Sequence, residues 1–77
     1  MSTLATLAVG ACGRVTRIDG DDEVSLRLME MGLTPGVELT VIGLAPLGDP
    51  LELELRGYRL SLRKSEAARI TIDTNEK

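Results

Sequence analysis

The 77-residue sequence contains no histidine, no tryptophan and no phenylalanine, and it has one tyrosine (Tyr58) and one cysteine (Cys12). Without imidazole there is no histidine general base and no histidine metal ligand, and a lone thiol cannot form a zinc site or an intrachain disulfide. With one aromatic ring there is no cage for quaternary ammonium groups, no stacking platform for RNA bases and no aromatic groove for proline-rich peptides. No apolar run approaches the roughly 18 residues that a membrane-spanning helix needs. Met1 to Ala8 carries no Lys or Arg, so the layout of a signal peptide is missing too. These absences predict a non-enzymatic protein that needs no cofactor and does not insert into a membrane, and the lack of a disulfide suits a reducing cytosol.

What remains is aliphatic. Leu, Val and Ile together supply 22 residues, within a composition that is 43% hydrophobic and 27% charged, the balance of an ordinary globular domain. The net charge of −3 opposes non-specific binding to nucleic acid or anionic lipid. Charge is unevenly placed: residues 1–55 carry nine acids and three bases, and residues 56–77 carry six bases and three acids. The basic stretch from Arg56 through Arg59, Arg63 and Lys64 to Arg69 is dilute and is expected to be a solvated sheet face.

Periodicity predicts the elements. Thr3–Gly13 reads as a lead-in anchored by Leu4 and Leu7, and Arg14–Ile18 as a first strand. Asp19-Gly20-Asp21-Asp22 supplies turn formers and a cap for a helix over Glu23–Met31, in which Val24, Leu28 and Met31 fall at i, i+4 and i+7. Leu26 and Met29 are expected to widen that core-facing stripe. Gly32 fits the left-handed position after a helix, and Pro35-Gly36 redirects the chain. From Val37 the period becomes two, giving a strand to about Ala45 with a bulge or sharp bend expected at Gly43. A loop over Pro46–Pro50 follows.

Leu51-Glu52-Leu53-Glu54-Leu55 and Tyr58-Arg59-Leu60-Ser61-Leu62 then alternate around Arg56-Gly57. A two-residue turn there pairs Leu55 with Tyr58, Glu54 with Arg59, Leu53 with Leu60 and Leu51 with Leu62, and a slip by one residue would send one apolar set to water. Arg63–Ala67 reads as a single helical turn and Arg69–Ile72 as the last strand, with Asp73–Lys77 a frayed tail. The expected fold is mainly β: a partly open five-stranded barrel with one short helix after the first strand, forming one domain over residues 1–77 with its core at about 4–72. Open strand edges also leave room for a homo-oligomer.

Few residues offer chemistry. Asp19, Asp21, Asp22 and Glu23 lack the spacing of a calcium loop and read as a solvated turn and cap, open only to adventitious cations. Glu52 and Glu54 face Arg59 and Arg63 as surface ion pairs, Cys12 reads as semi-buried, and the Met29 and Met31 thioethers read as filling space on a core-facing helix. Ile42 breaks the strand alternation and Leu47 sits at a loop tip. With Leu44 and Met29 they are the candidate partner-binding residues.

Three motifs carry a resemblance. Leu28-x-x-Met31-Gly32-Leu33-Thr34-Pro35-Gly36, Ala45-Pro46-Leu47-Gly48-Asp49-Pro50-Leu51 and Leu60-x-Leu62-Arg63-Lys64-x-Glu66-Ala67 resemble, in order and over about residues 4–72, the FeoA family of small ferrous iron transport proteins A. The module is also similar to the C-terminal SH3-like domain of iron-dependent repressors, but no DNA-binding or metal-sensing portion precedes it, so the free-standing transport accessory is the expected match. The resemblance implies an SH3-like barrel in the cytoplasm. It also implies a partner, the membrane ferrous iron transporter FeoB with its cytosolic nucleotide-binding domain, assisted by protein contact and not by carrying iron. The alternatives are an SH3-like regulatory or nucleic-acid-binding module and a direct iron chaperone.

Overall fold

The computed structural model describes residues 2–20 and 22–74. Along the chain the elements are β1 (Ser2–Thr3), a 3₁₀ turn (Leu4–Thr6), β2 (Cys12–Ile18), α1 (Glu23–Glu30), β3 (Glu38–Leu44), β4 (Leu51–Leu55), β5 (Tyr58–Leu62), α2 (Lys64–Ala67) and β6 (Ile70–Asp73). The strands form one antiparallel sheet in the order β1-β6-β2-β3-β4-β5. The class is the expected one with a strand more. Ser2 and Thr3 pair with Ile72 and Thr71 on β6, and a two-residue strand has no alternation by which a sequence could reveal it. β2 begins at Cys12, two residues before the expected start, and Asp73 belongs to β6 and not to a tail. The end of the proposed tail, residues 75–77, lies outside the described residues, as does Asp21.

The β4–β5 hairpin has the expected register throughout, from Leu51↔Leu62 to Leu55↔Tyr58. Arg56 (φ 52°) and Gly57 (φ 84°) both take positive φ, the geometry of a turn whose twist matches that of its strands. Leu51, Leu53, Leu55 and Leu62 are buried as expected, whereas Tyr58 is 41% exposed. Its hydroxyl donates to the Met31 carbonyl at 2.5 Å, so the ring lies at the rim and closes the end of α1.

The ends of α1 follow from local chemistry. Asp22 caps it, accepting from the Ser25 amide at 3.3 Å, and the Ser25 hydroxyl donates back to the Asp22 carbonyl at 3.0 Å. At the other end the Leu33 amide reaches the Leu28 carbonyl (3.1 Å) and the Gly32 amide the Met29 carbonyl (3.0 Å), with Gly32 at φ 106°. This pairing requires a left-handed residue at Gly32, and it turns Leu33 back into the core, where it is fully buried.

Leu28 packs inward and Val24 and Met31 flank it, but Leu26 (57% exposed) and Met29 (39%) do not widen the stripe. The buried face is rotated toward Ser25, whose hydroxyl is satisfied locally and can be buried without loss. α1 therefore shows an apolar flank to solvent.

β3 buries Leu39 and Val41, and its register with β4 shifts between Val41 and Gly43, the expected bulge. Cys12 is exposed, not semi-buried, because it precedes the buried Gly13 on the outer edge of the β2 alternation. A side chain at Gly13 would collide with the Ile72 methyl, so β2 and β6 approach closely there. Leu4, dropped from the 3₁₀ turn, closes the core beside α2 and Ile70.

Candidate functional site: a loop tip and the flank of the second helix

The β3–β4 connection is a built structure. The Gly48 amide donates to the Ala45 carbonyl at 2.7 Å, closing a turn with Pro46 and Leu47 at its centre, and the Ala45 amide reaches the Pro50 carbonyl at 3.1 Å. The Asp49 carboxylate accepts from the Lys64 amide at 2.9 Å, tying the loop to the first residue of α2. On this frame Leu47 is 95% exposed, more than any other large apolar side chain among the described residues. A Leu held on a fixed turn has little conformational entropy left to lose when it is covered, which favours its use as an anchor.

The four residues expected to meet a partner fall into two groups. Leu44, 45% exposed, pairs with Leu51 at the rim beside the Leu47 loop. Ile42 is the unpaired residue of the bulge and is half-buried, less open than expected. Met29 lies at the other end of the sheet: the C-terminal turn of α1 sits against Leu55 and Tyr58, and β4, from Leu51 to Leu55, runs roughly 13 Å between the two ends at about 3.3 Å per residue. Leu44 and Leu47 share a surface, and Met29 belongs to a second one with Leu26.

Beside α2, charges that lie far apart in the sequence gather. Arg27, Arg63 and Arg69 line a cleft of about 450 Å³ between α1 and α2, together with Val24, Ser65 and Glu66. Arg27 pairs with Glu66 at 2.5 Å and Arg69 with Asp22 at 2.7 Å. The Arg63 amide donates to the Glu66 carboxylate at 3.0 Å; the Arg63 side chain has no acceptor, so Glu66 makes the only side-chain cap from within the turn among the described residues. The Arg69 guanidinium, and then the Ser25 amide, hold the Asp22 carboxyl below its ordinary value of 3.8.

The basic stretch is therefore not a sheet face alone: Arg63 and Arg69 turn toward the helices. Glu52 and Glu54 make no ion pair with Arg59 or Arg63 among the described residues, although Glu54 lies opposite Arg59 in register. The turn acids are engaged separately, Asp19 by Arg17 at 2.9 Å and Asp22 by Arg69. Among the described residues no group of three or more Cys, Asp or Glu converges as a metal site would require, and no helix is long and apolar enough to cross a membrane.

The FeoA domain model matches residues 2–74. The chain belongs to the FeoA family. A FeoA-like protein from Clostridium acetobutylicum has the same fold, with 38% identity and a TM-score of 0.92 over 99% of this chain and 88% of that one. The FeoA of Stenotrophomonas maltophilia, solved with zinc and described as a prokaryotic SH3 domain protein, is 30% identical with a TM-score of 0.82 over 95% of this chain and 91% of that one. The barrel is thus of the SH3-like kind.

An Fe(2+) transport protein A/Fe(2+) transporter FeoB fusion protein of Porphyromonas gingivalis is 34% identical over 70 residues. The match covers 91% of this chain and 8% of that relative's length. In this FeoA domain each motif that carried the resemblance has a structural task. The first builds the left-handed stop after α1, the second the Leu47 loop, and the third leads β5 into α2 and supplies its cap.

Proposed function

We propose that this chain is a non-enzymatic, cytoplasmic accessory of ferrous iron uptake that docks on the membrane ferrous iron transporter, with residues 4–72 as the working unit and Leu47 and Leu44 at the contact. It modulates the transporter's assembly or its nucleotide cycle. The observation that carries this reading is the fusion relative, whose name joins a transport protein A to a FeoB transporter in one polypeptide. Covalent linkage raises the effective concentration of one module at the other, an arrangement that is useful when the two act on each other. The stiff loop presenting Leu47 supplies the kind of anchor such a contact needs.

Deleting the chain in its own cell and measuring ferrous iron uptake under iron limitation tests the reading. Uptake should fall and be restored by the wild-type chain. Unchanged uptake in the deletion strain contradicts a transport role.

A further inference from the structure

The Leu47 loop is tied to Lys64, and the residues on either side of Lys64, Arg63 and Ser65, line the three-arginine cleft. The apolar anchor and the cationic cleft are therefore neighbours across α2. The cleft is an exception to the chain's overall charge. The protein carries −3, yet three guanidinium groups line this wall against the two carboxylates, Glu66 and Asp22, that they hold.

The groups are also set for carboxylates: Arg27 and Arg69 each already hold one of the chain's own, and a guanidinium has five N–H donors in a planar fork. Each therefore keeps donors to offer. Arg63 makes no ion pair among the described residues, and its guanidinium is the one left for an incoming acid.

We propose that this cleft receives the carboxylates of an acidic peptide segment on a partner protein, beside the apolar contact made by Leu47. A peptide is favoured over a free oxyanion because Asp49 ties the Leu47 loop to Lys64, between the cleft residues Arg63 and Ser65, so one extended segment can reach from the cleft to the loop, and because Val24 gives the cleft an apolar wall. The inference rests on the docking reading above. It names the chemistry that the partner must carry: two or more Asp or Glu side chains next to an apolar residue.

The test uses the purified chain and nuclear magnetic resonance of the arginine Nε–H groups, with hexaglutamate, hexaglutamine and inorganic phosphate as separate probes. Saturable shifts at Arg27, Arg63 and Arg69 with hexaglutamate, absent with hexaglutamine and much smaller with phosphate, are expected. Arg63→Ala should weaken the hexaglutamate affinity about fivefold, as loss of a charged contact does, and added salt should weaken it further. Its unfolding midpoint should stay that of the wild type, since Arg63 caps nothing with its side chain.

The proposal is overturned if hexaglutamate gives no saturable shift, if phosphate shifts the same groups as strongly, or if Arg63→Ala binds hexaglutamate unchanged. Because no transporter is present, these outcomes are independent of the docking reading, which titration of the transporter's cytosolic portion decides.

Discussion

β4 is bounded by two turns made for different work. At one end Arg56-Gly57 joins it to β5 in the fewest residues a hairpin allows, and Leu51, Leu53 and Leu55 of β4 are all buried behind it. At the other end six residues, Ala45 to Pro50, join β3 to β4 and hold Leu47 away from the core at 95% exposure. Both turns are well hydrogen-bonded. The first fixes a register, and the second spends its order on presenting a side chain that contributes nothing to the interior. In a domain this small, where a core rarely supplies more than about 3–5 kcal/mol net, an order so placed points to use by a partner.

The largest loss is expected at the hairpin. Leu53→Ala removes a fully buried side chain at the centre of β4 and should cost about 2–5 kcal/mol, enough to leave much of the protein unfolded at room temperature in a urea titration. Gly32→Val comes next. The substitution forces a branched residue to φ 106° and drives its Cβ into the Tyr58 hydroxyl, which should lose about 1–3 kcal/mol and the Tyr58–Met31 bond. A mutant as stable as wild type would show that the left-handed stop is dispensable.

Asp22 sharpens the picture through pH. Its carboxyl is held below 3.8, so its contribution is complete above that ordinary value and drains away as pH falls through the lower, folded one. Asp22→Asn keeps a capping oxygen but loses the titration, and should flatten the fall of the unfolding midpoint as the pH drops below the ordinary carboxylate value. An unchanged acid slope would mean that other carboxylates carry it.

The smallest effect on stability is expected at the loop. Leu47→Glu should change stability by less than about 0.5 kcal/mol, as surface substitutions do. A large loss would return Leu47 to the core.

The hairpin was legible because period-two alternation leaves only one register that keeps both leucine sets dry. The helix stop and the bulge were legible because Gly32 and Gly43 stand where the pattern ends or breaks. The rotational setting of α1 was not. Apolarity alone ranks Leu26 above Ser25 for burial, but Ser25 satisfies its hydroxyl on Asp22 and takes the inner position.

The exposure of Tyr58 was hidden for a related reason: its hydroxyl finds a carbonyl 27 residues away, which no local pattern encodes. The arginine cleft was equally hidden, since Arg27 and Glu66 are 39 residues apart, and Asp22 and Arg69 are 47 apart. The candidate Leu44 and Leu47 could be read from their place at a loop. That Met29 lies at the far end of β4 could be known only once the helix was set on the sheet.

The most direct test of the account is calorimetric titration of the transporter's cytosolic portion with the wild-type chain and with Leu47→Glu. Saturable binding by the wild type, and binding weakened about tenfold or more in a variant that melts at the wild-type temperature, is the predicted result for loss of a buried anchor. Equal binding by the two chains, or none by the wild type, would contradict the claim that this loop is where the protein meets its partner.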